Sequence, residues 1–135
     1  MIFHPYRCIF FHIGKAAGTS IERTFDPRHR DFRVPNRETF FGYDKQEKLY
    51  LQHATPAFMQ QHVHADIFDR YFKFSVVRNP FSRLVSVYNY SRGYRKKYRD
   101  FEHYVLSLKQ DFDVDDALKS DHRTCLLYTS DAADD

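Results

Sequence analysis

The sequence contains little of several residues that define particular protein classes. Its 135 residues include two cysteines, four glycines, five prolines and no tryptophan. Two cysteines cannot build a disulfide framework, and so little glycine excludes a collagen-like chain. No apolar run approaches the ~18 residues that a membrane-spanning helix needs, and the N-terminus has no signal-peptide pattern. These absences predict a cytoplasmic protein without a transmembrane segment.

Aromatic and charged residues are plentiful instead. The chain has 14 Phe and 10 Tyr, and 29% of its residues are charged. This composition supports one folded domain with a substantial core and excludes long disorder. The net charge is only +3, but residues 1–110 carry 19 basic and 10 acidic residues, whereas residues 111–135 carry 2 and 8. The body of the protein is therefore basic, and we expect it to attract anions.

Short apolar runs alternate with helical patterns along the chain. Residues 8–13, 49–53 and 71–77 have the composition of short buried strands, and residues 26–48 predict an irregular excursion. Helices are expected after each strand. Thr19 or Ser20 is the predicted N-cap of the first helix and Thr55 that of the second, whereas Asn79 and Pro80 are predicted to break the third strand before the next helix. Strands alternating with helices predict an α/β domain with a parallel sheet.

The C-terminal part has a different character. Apolar residues spaced as in an amphipathic helix begin at Phe101, after a basic stretch at residues 92–99 that predicts a solvated loop. We assign residues 1–125 to the α/β domain. Residues 126–135 predict a disordered or artefactual tail, because they resemble translated sequencing-adapter DNA and contribute little to a core.

The first motif with chemical content is a glycine-bearing turn that follows the first predicted strand. We name residues 14–18 the glycine loop. Its two glycines allow a tight turn and a close approach to a ligand, and the following helix N-terminus attracts anions. Lys15 adds a positive charge. The loop is not a Walker A motif, in which the lysine follows the second glycine.

The second motif follows the predicted strand at residues 71–77. Arg78 stands near the carboxyl end of that strand, where open α/β sheets bind ligands. Ser86 lies eight residues later on the next helix, and both side chains are suited to one phosphate. Arg83 is more simply explained as a solvated or packing residue.

Together the two motifs resemble those of the PAPS-dependent carbohydrate sulfotransferases, where PAPS is 3′-phosphoadenosine 5′-phosphosulfate. That family has a Lys-x-x-Gly-[Thr/Ser] loop, matched at residues 15–20, and an Arg-[Asn/Asp/His]-Pro-[Tyr/Phe]-x-Arg motif continuing to a Ser-x-Tyr, matched at residues 78–88. Two positions depart from the family pattern. Gly14 stands where proline is frequent, and Ala16 stands where Thr or Ser is frequent.

The resemblance covers about residues 9–108 and implies a fold, a cofactor and a set of site residues. The implied fold is a P-loop-like three-layer α/β fold, a parallel sheet flanked by helices, of which this chain is a C-terminally truncated front part. PAPS is the implied sulfuryl donor, with no metal, and a carbohydrate or other hydroxyl-bearing molecule is the acceptor. The implied PAPS-binding residues are Gly14, Lys15, Ala16, Ala17, Gly18, Thr19, Ser20, Arg78 and Ser86. Lys15 is also expected to act in catalysis.

Sulfuryl transfer to an alcohol also needs a base, and histidine has a suitable pKa. His53 ends the second predicted strand, and related members often carry a histidine in a similar His-x-Thr segment. His53 is therefore the first candidate for the base. His12 and Glu22 are the alternatives.

Other functions stay open at this stage. A nucleotide-dependent phosphotransferase would use a related loop, and a non-catalytic polyanion-binding module would use the basic body. The tyrosines interleaved with cations at residues 92–99 suit nucleic acid or an acidic glycan, although no nucleic acid partner is expected. His62 and His64 do not predict a metal site, because residues two apart point to different faces of a helix.

Overall fold

The computed structural model describes residues 1–27 and 31–110. The predicted tail at residues 126–135, and the last part of the predicted domain, lie outside the described residues. The chain divides into two compact units, one formed by Met1–Val76 and one that begins at Val77. The first unit contains β1 (Ile2–Phe3), β2 (Cys8–Phe11), α1 (Gly18–Phe25), β3 (Tyr43–Asp44), β4 (Leu49–Tyr50), α2 (Pro56–His62), α3 (Ala65–Arg70) and β5 (Phe72–Ser75). The second unit contains α4 (Pro80–Tyr90), α5 (Arg92–Lys97) and α6 (Phe101–Gln110).

The main sheet of the first unit has the strand order β1-β2-β5. Strands β2 and β5 pair in parallel, as the sequence predicts, with Cys8 opposite Phe72. Strand β1 was not predicted, and it runs antiparallel to β2. Only the 3-10 helix His4–Tyr6 and Arg7 join these two strands, which is too short for the crossover that a parallel pair needs. The α/β prediction is confirmed, but the sheet is mixed rather than parallel.

Both faces of this sheet are covered within the first unit. Ile9 belongs to a cluster that includes Met59 of α2, whereas Phe10 belongs to another cluster, against which Phe25 of α1 packs. Successive strand residues point to opposite faces, so α1 covers one face while α2 and α3 cover the other. Coverage on both faces explains why β2 is apolar at every position.

The second predicted strand is mostly wrong. Only Leu49–Tyr50 forms a strand, paired with β3, and Leu51–His53 forms a 3-10 helix. The N–H of Ala54 donates to the oxygen of Leu51 at 3.1 Å, which closes a turn directly before α2. Leu51 belongs to the short run whose composition predicted a strand, but it is buried from this turn instead.

The predicted cap of α2 is confirmed, and Asn79, which was predicted only to break the preceding strand, caps α4. The N–H of Phe58 donates to Oγ1 of Thr55, and the N–H of Ser82 donates to Oδ1 of Asn79, each at 3.2 Å. A proline follows each cap, at a position where the missing N–H costs nothing. The apolar pattern after Thr55 belongs to two helices rather than one, because His64 caps α3.

An ion pair lies within the predicted excursion at residues 26–48. Nε of Arg37 donates to the carboxylate of Asp44 at 2.7 Å, and this hydrogen bond is the main cause that lowers the pKa of the buried Asp44. A lowered pKa in the folded state stabilises the fold above the ordinary pKa of the carboxyl, and this stabilisation is lost as the pH falls through the lowered value.

Gly42 is required by the backbone of this excursion. Its φ of 87° lies in the left-handed region, and an added Cβ would overlap the main-chain oxygen of Val34. We expect Gly42→Ala to lower the free energy of unfolding by roughly 1–3 kcal/mol or more, as measured by urea denaturation. Gly93→Ala is the matched control. Its Cβ would meet only the Ser91 side chain at 3.5 Å, so this helical substitution should raise stability by up to about 1 kcal/mol. Equal effects of the two substitutions would contradict this explanation.

Helices α4, α5 and α6 pack around an aromatic core in the second unit. Val87, Tyr98 and Tyr104 are its buried members. The predicted basic loop is instead α5, which Ser91 caps by accepting the N–H of Tyr94 at 3.2 Å. The predicted last helix is confirmed as α6. None of the helices within residues 1–27 and 31–110 has the length and apolar character needed to cross a membrane.

Candidate functional site

The glycine loop joins β2 to α1 in the first unit. Gly14 and Ala16 are buried, and Lys15 is half-buried between them. The N–H of Ala16 donates to the oxygen of Ile13 at 3.2 Å. This hydrogen bond closes a turn within the loop. The burial of Gly14 and Ala16 holds the turn, which includes Lys15, against the body of the unit.

Helix α1 starts earlier than predicted. The N–H groups of Ser20 and Ile21 donate to the oxygen of Ala17 at 3.0 and 3.1 Å, which makes Ala17 the N-cap. The predicted caps, Thr19 or Ser20, instead lie within the first turn with exposed side chains. An alanine has no side-chain acceptor to offer the N–H groups at the start of a helix. An anion placed there would accept from these groups and from the two hydroxyls.

The left-handed residues of the loop are not its glycines. Lys15 has a φ of 65° and Ala17 a φ of 61°, whereas neither Gly14 nor Gly18 has a positive φ. The prediction that the glycines provide the tight turn is therefore wrong. A left-handed conformation costs a residue with a Cβ roughly 1–2 kcal/mol, so the surrounding contacts must hold Lys15 and Ala17 in place. Backbone strain of this kind is frequent at functional sites.

Residue 18 must be glycine because the backbone there comes close to a side chain of the protein itself. A Cβ at residue 18 would overlap the imidazole ring of His12. The ring of His12 in turn stacks on Phe10, with ring centroids 5.6 Å apart. The start of α1 therefore rests directly on a histidine that is anchored to the core.

His53 lies beside the same histidine. The two imidazole centroids are 4.4 Å apart, and Nδ1 of His53 lies 3.2 Å from the main-chain oxygen of His12. A carbonyl oxygen only accepts hydrogen bonds, so Nδ1 of His53 must carry the proton. In the neutral ring Nε2 then holds the lone pair, which is the arrangement that a general base needs.

The structure brings three of the predicted site residues together. The imidazole of His12 lies against both Gly18 and His53 in the first unit. The remaining base candidate, Glu22, is half-buried in the second turn of α1. A base drawn from this group therefore lies close to the start of α1.

Arg78 and Ser86 belong to the second unit. Arg78 is exposed, directly before the Asn79 cap of α4, and three residues beyond the end of β5 at Ser75. Ser86 is half-buried in the second turn of α4. The same local structure, a capped helix start, therefore fixes the backbone that carries both side chains.

Of the two explanations that the sequence leaves open for Arg83, a solvated or a packing residue, its burial supports packing. Its exposed fraction is 0%, so it is not solvated. It lies four residues before the buried Val87, and this helical spacing was the available signal. The sequence predicts an apolar face for this helix at Leu84, Val85 and Tyr88, but Val85 is 44% exposed. The buried face of α4 is therefore rotated towards Arg83 and Val87.

His62 and His64 each have a structural role. Nδ1 of His62 donates to the oxygen of Phe58 at 2.8 Å, and Nδ1 of His64 accepts the N–H of Asp66 at 3.3 Å. In the part of the chain that the structure describes, no group of three or more His, Cys, Asp or Glu side chains is arranged to hold a metal ion.

The tyrosines of the basic stretch point into the core. The ring of Tyr94 stacks on Tyr104, with centroids 5.5 Å apart, and Tyr98 is only 7% exposed. They therefore do not form an exposed platform on which bases could stack. The exposed cations of α5 are the charged surface that remains there, among them Arg95 and Lys96.

Comparison with known proteins gives one match. The profile of a protein family described as "Sulfotransferase family" matches residues 1–124 of the chain. No curated protein and no solved structure matches.

Proposed function

The chain belongs to the sulfotransferase family, and from that premise we propose that it transfers a sulfuryl group from PAPS to a hydroxyl of a carbohydrate or related acceptor. The observation that carries the proposal is the start of α1. There, Ala17 supplies no capping side chain, Lys15 precedes the cap, and the exposed hydroxyls of Thr19 and Ser20 follow it.

This donor set suits a phosphosulfate group. Helix N–H groups, a lysine and two hydroxyls all donate hydrogen bonds, and together they offset negative charge. Residues 14–20 would hold the 5′-phosphosulfate, and the guanidinium of Arg78 with the hydroxyl of Ser86 would hold the 3′-phosphate. When bound, PAPS supplies the sulfuryl group that is transferred.

Two side chains of this site would act on the reaction itself. Lys15 would stabilise the negative charge that develops on the oxygen of the leaving group. His53 would accept the proton of the acceptor hydroxyl on Nε2, because the hydrogen bond from its Nδ1 to the His12 oxygen fixes that tautomer. No metal has a role in this scheme.

A thermal-shift measurement tests the proposed cofactor class. We expect 3′-phosphoadenosine 5′-phosphate (PAP), the product form of PAPS, to raise Tm by several degrees at saturating concentration, because a ligand that binds only the folded state stabilises it. ATP with Mg²⁺ is the comparison. A larger shift with ATP and Mg²⁺ than with PAP would contradict the proposal and favour a phosphotransferase.

The role of His53 is tested by a pair of histidine variants. We expect His53→Ala to lower kcat by roughly 10²- to 10⁴-fold, the usual contribution of a general base, while the Kd for PAP stays within a factor of about 3. His62→Ala is the control, because His62 is exposed on α2 and has no proposed part in catalysis. Activity is measured as PAP released in the presence of an oligosaccharide panel. Normal turnover by His53→Ala would exclude His53 as the base.

A further inference from the structure

We propose that His12 is a positioning residue, whose imidazole sets the start of α1 and the ring of His53 in one fixed arrangement. The inference rests on the proposed roles of the glycine loop and of His53. The anion-binding groups and the base would both depend on the position of one side chain, that of His12.

The first observation is the identity of residue 18. Gly18 does not have a positive φ, so its backbone conformation does not require glycine. The requirement comes from space, because a Cβ would overlap Nε2, Cδ2 and Cε1 of His12. The imidazole of His12 therefore occupies the place where a side chain of α1 would otherwise stand, and α1 begins at the distance that this ring sets.

The second observation is the contact with His53. The imidazole of His12 stacks on Phe10 at an interplanar angle of 17°, and Phe10 is 0% exposed. The same imidazole meets the ring of His53 at a centroid distance of 4.4 Å. His12 thus joins a rigid core residue to the candidate base, while its main-chain oxygen accepts the Nδ1 proton of that base.

These contacts have a mechanical consequence. Side chains in a close-packed site cannot move independently, so a shift of the His12 ring would displace both α1 and His53. Because His12 acts through its neighbours, it is a positioning residue. His53 keeps the proposed catalytic role.

A double-substitution cycle tests the contact with Gly18. Alone, Gly18→Ala should lower Tm and weaken PAP binding roughly 10-fold or more, because its Cβ displaces the His12 ring. In a His12→Ala background the same substitution should change Tm little and PAP affinity by less than about 3-fold, because the space is then vacant. His12→Ser provides a second background with a small side chain.

The outcomes of this cycle separate the two proposals. Equal effects of Gly18→Ala in the presence and absence of the His12 ring would overturn the positioning role, since glycine would then be required for another reason. Failure of Gly18→Ala to fold, with recovery in the double variant, would support it. Failure of both to fold would overturn it. The effect of the two substitutions on Tm is measured without ligand. If the unsubstituted protein does not bind PAP, the proposed function is excluded, but this test of the contact between His12 and Gly18 is still valid.

The tautomer of His53 reports the second contact. Nitrogen-15 NMR of the unsubstituted protein should show His53 with its proton on Nδ1, as the hydrogen bond to the His12 oxygen requires. His12→Ala keeps that main-chain oxygen but removes the ring that holds the His53 ring in place. The His53 ring should then turn away from the oxygen for part of the time, and His53 should become a mixture of both tautomers. His12→Phe, which keeps a flat ring beside His53, should restore more of the Nδ1–H form. An unchanged tautomer in His12→Ala would overturn the positioning of His53.

Discussion

Lys15→Ala is expected to lower turnover by roughly 10²-fold or more, the loss seen when one donor to a developing oxyanion is removed. The expectation follows from where the lysine lies. Lys15 is held in a left-handed conformation at φ 65°, directly before the buried Ala16. The backbone conformation of Lys15 is therefore set by its surroundings, and the proposed role of the side chain is to bring one positive charge to the leaving group. Turnover is measured as PAP released with the best acceptor of an oligosaccharide panel.

Two further variants sharpen this test. Lys45→Ala removes an exposed lysine from the same unit and should leave turnover unchanged, which controls for the loss of one positive charge. Lys15→Gly should be more stable than Lys15→Ala, because glycine adopts a left-handed φ without a steric cost, yet it should be equally inactive. Near-normal turnover by either Lys15 variant would exclude the proposed role of the ammonium group.

Arg78→Ala is expected to weaken PAP binding by roughly 10- to 100-fold, the range expected when a hydrogen bond to a charged group is lost. The guanidinium presents several donors in a fixed plane, and a phosphate accepts two of them side by side. Arg78→Lys should recover only part of this affinity, because an ammonium group lacks that planar fork. Isothermal titration calorimetry measures the affinity of each variant for PAP.

A second arginine of the same unit is the control. Arg95 is exposed in the middle of α5 and is not among the proposed PAP-binding residues. Arg95→Ala should therefore change PAP affinity by less than about 2-fold, because salt largely screens an exposed charge that does not contact the ligand. Unchanged affinity in Arg78→Ala, or equal losses in the two variants, would reject the assignment of Arg78 to the 3′-phosphate and leave only a general electrostatic attraction.

Helix starts were predicted well where the sequence itself carries the hydrogen-bonding partner. Thr55 has a side-chain acceptor and is followed by proline, and it caps α2 as expected. Asn79 has the same two features and caps α4, although it was predicted only to break the preceding strand. The start of α1 was misplaced because Thr19 and Ser20 look like caps while the actual cap, Ala17, has no acceptor. A rule that looks for capping side chains cannot identify a helix start that has none, as at Ala17, where an anion would bind.

The strand prediction failed for a related reason. Residues 49–53 have the composition of a short strand, yet Leu51–His53 is a 3-10 helix. Burial of Leu51 gives the same sequence signal in a turn as in a strand, and only its packing into the core distinguishes them. This turn matters because it carries His53.

The sequence by itself determined the chemistry that this protein can offer. Three local patterns were sufficient to indicate the family: the apolar strand, Lys15 in a glycine loop, and Arg78 shortly before a proline. The tertiary structure decided how those groups are held. It placed the left-handed conformations on Lys15 and Ala17, buried Arg83, set Gly18 against the His12 ring, and directed the Nδ1 proton of His53 to the His12 oxygen. Each of these depends on contacts between distant segments, or on a packed backbone that no short run of residues specifies.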